Sequence, residues 1–336
     1  IMNWNVYIKC CCMREVIDVG ENAQKIGKKL EQLGVNLLGM FKWNKKMSDK
    51  EIKCTRSTHK NAEGKPKQTH GIDLYMEYKD PYIGSVQGVF IECKNRVWSK
   101  INQKEIERWV NEELNLIDCA RNNSELQEFY AEGADKNCAL LLVNCNDGKF
   151  NQTKFDEYLS GIQIPNKRNP YKIFIAGNNM IERWDAISRM IKESYHDGLN
   201  VLYPSINNSQ PISEKYWSIN HLFSKYVFCE AREQVPIGRN GDIRVNRILV
   251  IFFFDKISAD SFQYMWSMCR AFQYENQYDG FDICFWTETK EENDYINENF
   301  LSILSNYDDG KISQDITKSI RIKFLLNRKL NVVDNH

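Results

Sequence analysis

The chain has 336 residues, roughly twice the length of an ordinary globular domain, so we expect two domains. Apolar residues make up 42% of the chain and charged residues 27%, which excludes global disorder. The 45 basic and 45 acidic side chains cancel. This balance excludes a protein that binds nucleic acid by bulk positive charge, although a local basic patch would suffice for binding.

The cysteines predict a reducing compartment. They number eleven, their spacings form no disulfide framework, and no C-x-x-C pair occurs, which argues against a structural zinc site. We expect the consecutive Cys10, Cys11 and Cys12 on an edge strand, with a redox role as the alternative. The first residues lack the order of a signal peptide, and the longest apolar stretch, Ile248–Phe254, is far shorter than the ~20 residues that span a bilayer. We therefore expect a soluble, cytoplasmic protein with no membrane partner.

Helical and strand-like segments alternate along the first part of the chain. In order they are a helix at Gly20–Gly34, strands near 35–43, 70–79 and 86–94, a helix at Ile101–Arg121, a strand at Cys138–Cys145, a helix near Thr153–Leu159, a strand at Tyr171–Ala176 and a helix at Met180–Ser194. Gly34 is the expected stop of the first helix. The lysine-rich segment Lys42–His70 is expected to be a long loop. The order predicts an α/β layered domain.

A second α/β unit is predicted in the last third of the chain. Its elements are strands at Arg247–Asp255, Asp282–Trp286 and Ile320–Leu326 and helices at Ala259–Tyr274 and Glu291–Leu304. Between the two units, residues 197–240 mix Asn, Ser, Pro and Gly with aromatic residues and are expected to be a junction. We therefore predict domains at residues 1–196 and 241–336.

A predicted hairpin carries the residues most suited to catalysis. Glu92 and Lys94 are two positions apart on one strand, so they project from the same face. Asp73 opens the neighbouring antiparallel strand, which can bring its carboxylate beside that of Glu92. Two carboxylates and a main-chain carbonyl such as that of Cys93 form an oxygen-rich site suited to Mg²⁺. Lys94 can stabilise charge on a phosphate or help to activate water. This chemistry fits phosphodiester hydrolysis.

The hairpin motif also resembles a known family. Gly71-Ile72-Asp73, then a spacer and an apolar strand that ends in Glu92-Cys93-Lys94, is similar to the motif of the PD-(D/E)xK nuclease superfamily. The resemblance covers about residues 15–195, and it departs from the family pattern in having no Pro before Asp73. It implies a restriction-endonuclease-like αβββαβ core, which the predicted elements match in order. The second C-terminal α/β domain lies outside it.

The resemblance implies a metal-dependent endonuclease with Asp73, Glu92 and Lys94 as catalytic residues. One or two Mg²⁺ ions, for which Mn²⁺ can substitute, would lie between Asp73, Glu92 and the main-chain carbonyl of Cys93. In many members the first helix supplies a further carboxylate. Glu21 is the best positional match for it, with Glu15 and Glu31 as weaker candidates.

The basic segment is the expected nucleic-acid-binding surface, because lysines hold phosphates without reading sequence. Its candidate residues are Lys45, Lys46, Lys50, Lys53, Arg56 and Lys60. His59 and His70 flank this segment and could contact phosphate, assist catalysis or be ordinary loop histidines. We expect double-stranded DNA to be favoured over RNA. Cutting both strands requires two active sites, which favours a homodimer or larger assembly, and a partner protein is left open.

Nucleases of this family with an extra domain commonly serve restriction or antiphage defence, and the resemblance implies that role by analogy. The C-terminal domain would then serve sensing or assembly. The alternative is a non-catalytic nucleic-acid-binding or assembly subunit on the same fold. The sequence has no P-loop, H-E-x-x-H or G-x-S-x-G motif, so an ATPase, a zinc protease and a serine hydrolase have no support.

Overall fold

A computed structural model describes residues 27–61, 63–195, 198–204, 211–237, 242–306 and 312–329. The first part contains α1 (residues 27–40), β1 (Asn44–Lys53), β2 (Thr69–Asp80), β3 (Ser85–Arg96), α2 (Gln103–Ala120), β4 (Asp135–Cys145), α3 (Gln152–Ser160), β5 (Lys172–Ala176) and α4 (Asn178–Ser194). The second part contains β6 (Asn200–Tyr203), β7 (Ile212–Glu214), α5 (Ile219–Phe223), β8 (Tyr226–Ile237), β9 (Asp242–Phe253), α6 (Ala259–Ala271), β10 (Gly280–Trp286), α7 (Lys290–Ser305), α8 (Gln314–Ser319) and β11 (Ile320–Leu325). None of the described helices is long and apolar enough to cross a membrane.

The first sheet has the order β1-β2-β3-β4-β5. Its first three strands are antiparallel neighbours, and β3, β4 and β5 run parallel. Leucines of β4 point alternately to the two faces: Leu140 and Leu142 pack with α1 and α4, and Leu141 packs with α2 and α3. The order α1-β1-β2-β3-α2-β4 is the αβββαβ core expected from the sequence, so the predicted fold class is confirmed.

The second sheet has the order β11-β10-β9-β8-β6-β7 and carries α6 and α7 on one face. Its other face joins the hydrophobic core of the first sheet, where Trp184 of α4 and Phe252 of β9 belong to one buried cluster. The indole N–H of Trp43 donates to the carbonyl of Trp217 at 2.7 Å and ties the two parts together. The expected junction at 197–240 is more than a connection, because it supplies β6, β7 and β8 to this sheet. The domain boundaries themselves stay predictions.

Helix α1 extends beyond its predicted end. The expected stop at Gly34 and the strand near 35–43 are wrong, because residues 35–40 are helical. Leu37, Leu38 and Phe41 continue the buried face that begins at Leu30, at the spacing of an α-helix. A Cβ on Gly34 would lie 3.1 Å from Cδ1 of Leu142. Glycine at this position therefore lets the helix approach the sheet closely.

The segment 42–70 is not one long loop. Its first part forms the edge strand β1, which pairs with β2, and residues 54–68 make the connection. Met47 and Ile52 are buried, whereas the lysines around them are exposed. The pairing register shifts between Lys45 and Met47, and Asp49 has a φ of 51°, so the strand does not alternate regularly. Lysines on an edge strand also oppose pairing with another chain.

We expect Gly88→Ala to destabilise the first sheet. A Cβ at this position of β3 would lie 2.0 Å from the hydroxyl oxygen of Tyr75, whose side chain is fully buried. Overpacking of this kind costs about 1–3 kcal/mol in the free energy of unfolding, which denaturant titration would measure. The matched control is Gly39→Ala on the exposed side of α1, where no atom lies within 4 Å of the added Cβ. Equal stability of the two variants would contradict this packing.

Candidate active site

The site forms where β2 and β3 part. Their paired register runs from Asp80 and Ser85 to Leu74 and Ile91. One position beyond Leu74, Oδ2 of Asp73 accepts a hydrogen bond of 2.8 Å from the N–H of Cys93. The N–H and C=O of one residue project from the same edge of a strand, so the carbonyl of Cys93 is also directed to the side of Asp73.

Glu92 and Lys94 lie side by side on β3. The ammonium of Lys94 donates to Oε1 of Glu92. The side chain of Glu92 is 16% exposed and that of Lys94 is 14% exposed. Burial raises the pKa of Glu92, and the neighbouring Lys94 only partly opposes this. Burial also raises the pKa of Asp73 against the opposing effects of the Cys93 N–H and Lys94. Burial alone would lower the pKa of Lys94, but Glu92 and Asp73 raise it above its usual value, so the ammonium stays charged.

Helix α1 brings a further carboxylate toward this cluster. Glu21, the preferred candidate, and Glu15 lie outside the described residues. Glu31, the other weaker candidate, is in the described part of α1. Burial and then the negative charges of Asp73 and Asp49 raise its pKa to about 7.

Helix α2 brings a carboxylate that the sequence analysis missed. Glu113 is 3% exposed, and its Oε2 is buried with no hydrogen-bond partner among the described residues. Burial and then the charge of Glu92 raise its pKa well above the usual value. Glu113 lies within the apolar stripe of α2 between Val110 and Ile117. A carboxylate is costly in such a stripe, and this was the signal available in the sequence.

The cluster has the composition of a divalent-cation site. The carboxyls are those of Glu31, Asp73, Glu92 and Glu113. The charge of Lys94 lowers the pKa of Asp73, Glu92 and Glu113, and the charge of Lys28 lowers that of Glu31. The charge of Asp73 raises the pKa of the other three carboxyls, and the charge of Glu92 raises that of Glu31 and Glu113. A cation would relieve this repulsion, and carboxylate and main-chain oxygens are the ligands that Mg²⁺ prefers. The orphaned oxygen of Glu113 and the carbonyl of Cys93 also fit this group.

The six residues expected to bind nucleic acid lie on β1 and in the connection that follows it. They are Lys45, Lys46, Lys50, Lys53, Arg56 and Lys60, and all are exposed. The ammonium of Lys46 lies 3.4 Å from the carboxylate of Glu77, and that of Lys50 lies 5.0 Å from the ring centroid of Phe129. These two lysines therefore also have partners within the protein.

The raised pKa of Glu31 implies that the stability of the fold depends on pH. Its folded pKa of about 7 lies above the ordinary value of 4.5, so the folded state binds the proton more tightly. Its contribution to stability is present below about pH 4.5 and is lost as the pH rises through about 7. Without added divalent metal, we expect the unfolding temperature to fall from about pH 5 to about pH 8, and Mg²⁺ to restore it. Glu31→Gln should flatten this fall, and Glu51→Gln, an exposed control on β1, should not. Equal slopes in the two variants would contradict the assignment.

The comparison with known proteins agrees with this geometry. Residues 19–180 match the family model described as the GAPS4 protein PD-(D/E)XK nuclease domain. The matched range includes the Asp73, Glu92 and Lys94 cluster and ends at the beginning of α4. No curated protein matches the chain. Nucleases of this superfamily generally use divalent metal ions. Over these residues, just under half of the chain, the match and the αβββαβ core support a nuclease-type domain of the PD-(D/E)xK superfamily with the restriction-endonuclease-like fold.

Proposed function

We propose that the protein is a metal-dependent endonuclease that hydrolyses phosphodiester bonds, with double-stranded DNA as the favoured substrate. The observation that supports this most strongly is the convergence of Asp73, Glu92 and Lys94 at the point where β2 and β3 part. Three charged side chains kept in a largely buried position for a purely structural role would cost free energy of desolvation. A reaction that needs a cation and a fixed ammonium accounts for all three.

In this proposal Asp73, Glu92 and the carbonyl of Cys93 hold Mg²⁺, for which Mn²⁺ can substitute. When bound, such an ion activates water and offsets the charge of the phosphate. Glu31 and Glu113, on helices α1 and α2, have raised pKa values, and a bound cation would favour their charged forms. The ammonium of Lys94 is charged and fixed beside Glu92, so it is suited to stabilise the extra negative charge of the transition state.

The exposed cations of β1 and of residues 54–60 would hold the substrate. They lie on an edge strand and in its following connection, which a long polyanion can approach without obstruction from a neighbouring strand. Contacts of lysine and arginine with phosphates give affinity without sequence preference. A homodimer or a larger assembly, with or without a partner protein, would supply the second active site needed to cut both strands.

The second part of the chain is proposed to sense or to assemble, as the regulatory part of an effector in restriction or antiphage defence. A cavity of about 300 Å³ next to the second sheet supports a sensing role. The carboxylate of Asp282 lies in its wall, is fully buried, and accepts hydrogen bonds from Arg321 and Tyr195. Such a fixed set of polar groups in a concave site is typical of ligand recognition.

Plasmid cleavage tests the proposed activity directly. We expect supercoiled plasmid to become nicked and linear with Mg²⁺ or Mn²⁺, to stay intact with EDTA, and to be cut again when Mg²⁺ is added in excess over EDTA. A structured RNA of similar length, incubated in parallel, determines the preferred nucleic acid. Intact plasmid under all metal conditions, together with retained DNA binding, would favour the non-catalytic alternative.

Single substitutions separate the roles of the acidic residues from that of the lysine. Asp73→Asn and Glu92→Gln should abolish cleavage and weaken Mg²⁺ binding, because each removes a charged oxygen ligand. Lys94→Ala should lower single-turnover cleavage by about two orders of magnitude or more but leave Mg²⁺ and DNA affinity nearly unchanged, because its charge acts mainly in the transition state. Calorimetry and single-turnover kinetics measure the two effects, with Glu51→Gln as the exposed control. Loss of Mg²⁺ binding in Lys94→Ala, or full activity in Glu92→Gln, would refute these roles.

Neutralising the basic surface tests how the substrate is held. In the background of Glu92→Gln, we expect the combined replacement of Lys45, Lys53, Arg56 and Lys60 by Gln to weaken DNA binding equally across sequences. The slope of log K against log salt should fall by roughly one for each phosphate that the protein no longer neutralises. The control replaces four exposed lysines elsewhere: Lys192, Lys256, Lys290 and Lys318. Equal salt slopes for the two quadruple variants would show that β1 does not bind the substrate.

A further inference from the structure

A cluster of two cysteines and two histidines lies where the β1–β2 connection meets the end of α2. Cys54 follows β1, His59 lies within the connection, His70 is the second residue of β2 and Cys119 lies in the last turn of α2. Cys54 is half-buried and the other three are buried. His59 and His70 are therefore not the ordinary loop histidines considered from the sequence.

The four side chains point at one another. Nδ1 of His59 lies 3.4 Å from Sγ of Cys54, 3.5 Å from Sγ of Cys119 and 3.4 Å from Nε2 of His70. The two sulfur atoms are 3.9 Å apart, and one ligand atom from each of the four residues fits within 4.8 Å of the others.

These separations are those of a tetrahedral metal site. With Zn–S bonds of about 2.3 Å and Zn–N bonds of about 2.05 Å, a tetrahedron separates two sulfurs by about 3.8 Å, sulfur and nitrogen by about 3.6 Å, and two nitrogens by about 3.3 Å. Four of the six separations are the distances given above, and they agree with these values to within about 0.2 Å. The other two, from His70 to the two sulfurs, lie within 4.8 Å. Soft thiolates combined with imidazoles select Zn²⁺ over Mg²⁺.

The surroundings of the cluster also suit a bound metal. Nε2 of His59, on the far side of its ring, lies 3.8 Å from Oδ2 of Asp118, which is the carboxylate–histidine arrangement that orients a ligand ring. Lys167 holds the Asp118 carboxylate in place at 2.9 Å. The hydroxyl of Thr55 donates to Sγ of Cys119 at 3.5 Å, as a hydrogen bond to a thiolate would.

We propose that Cys54, His59, His70 and Cys119 bind one structural Zn²⁺. Four protein ligands complete a tetrahedron and leave no position for water or substrate, so the site is structural and not catalytic. The ion would fasten the connection 54–68 and the beginning of β2 to the end of α2. It would thereby fix the connection that carries Arg56 and Lys60, and also the strand that carries Asp73.

Metal analysis of the full-length protein tests this proposal. Protein produced in zinc-supplemented medium and purified without chelator should contain about one zinc ion per chain, as measured by inductively coupled plasma mass spectrometry. Cys119→Ala and Cys54→Ala should hold less than about a tenth of that amount. Cys138→Ala, which removes a buried thiol of β4 outside the cluster, is the matched control and should keep the zinc. Glu92→Gln should also keep it, which separates this site from the proposed Mg²⁺ site.

Two further measurements do not depend on the stability of the cysteine variants. Wild-type protein loaded with Co²⁺ should show the strong visible bands of a tetrahedral ion and a thiolate-to-metal charge-transfer band. Asp118→Asn should lower zinc affinity about 10- to 100-fold in competition with a chelating dye. Zinc-free wild-type protein, a Co²⁺ spectrum without the thiolate band, or a Cys54–Cys119 disulfide in the intact mass would each overturn the proposal.

Discussion

The hydrogen bond from the Cys93 N–H to the Asp73 carboxylate is the interaction on which the candidate site depends. Had β2 continued its ladder past Leu74, a main-chain carbonyl would have taken this N–H, and the carbonyl of Cys93 would have been used in return. The side chain replaces that ladder bond, so the strands can part without leaving a buried donor unpaired. The same contact places a carboxylate and a main-chain carbonyl at the opening between the strands.

The opening between β2 and β3 brings carboxyl groups together in a buried position. The packing around them has to offset the free-energy cost of their repulsion. The charge of Asp73 raises the pKa of Glu92, and the charge of Glu92 raises that of Glu113; Lys94 opposes both effects only in part. The helices that carry the acidic residues are held by apolar contacts next to them. Glu31 follows Leu30 and Glu113 precedes Leu114, and both leucines are almost fully buried. The repulsion among the carboxyls is thus offset by apolar packing of the same helices, α1 and α2, that carry two of them. Functional sites are commonly supported in this way.

The sequence was sufficient for what depends on local periodicity. The two-residue spacing of Glu92 and Lys94 predicts a shared face, and the structure places these side chains in contact. The run Val35–Phe41 was ambiguous, because a short apolar stretch suits a helix end as well as a strand. Its helical spacing is recognisable only when Leu30 is counted as part of the same buried face. Glu113 and Cys119 belong to long-range clusters. The apolar stripe of α2 marks Glu113 as unusual, but the partners of both residues lie on other elements, so no spacing within the sequence could reveal which groups they meet.

Strand β2 carries a ligand of each of the two proposed metal sites within four residues. Asp73 belongs to a set of hard oxygen ligands that suits Mg²⁺, whereas His70 belongs to a set of thiolates and imidazoles that suits Zn²⁺. Because the ligand types differ, neither ion would displace the other from its site. A zinc ion at His70 would fix the beginning of β2 against α2, so the repulsion among the carboxyls could not be relieved by movement of Asp73 away from Glu113. The rigidity supplied by the proposed zinc site would therefore keep the acidic cluster compact, and a compact acidic cluster is what binds a small divalent cation strongly.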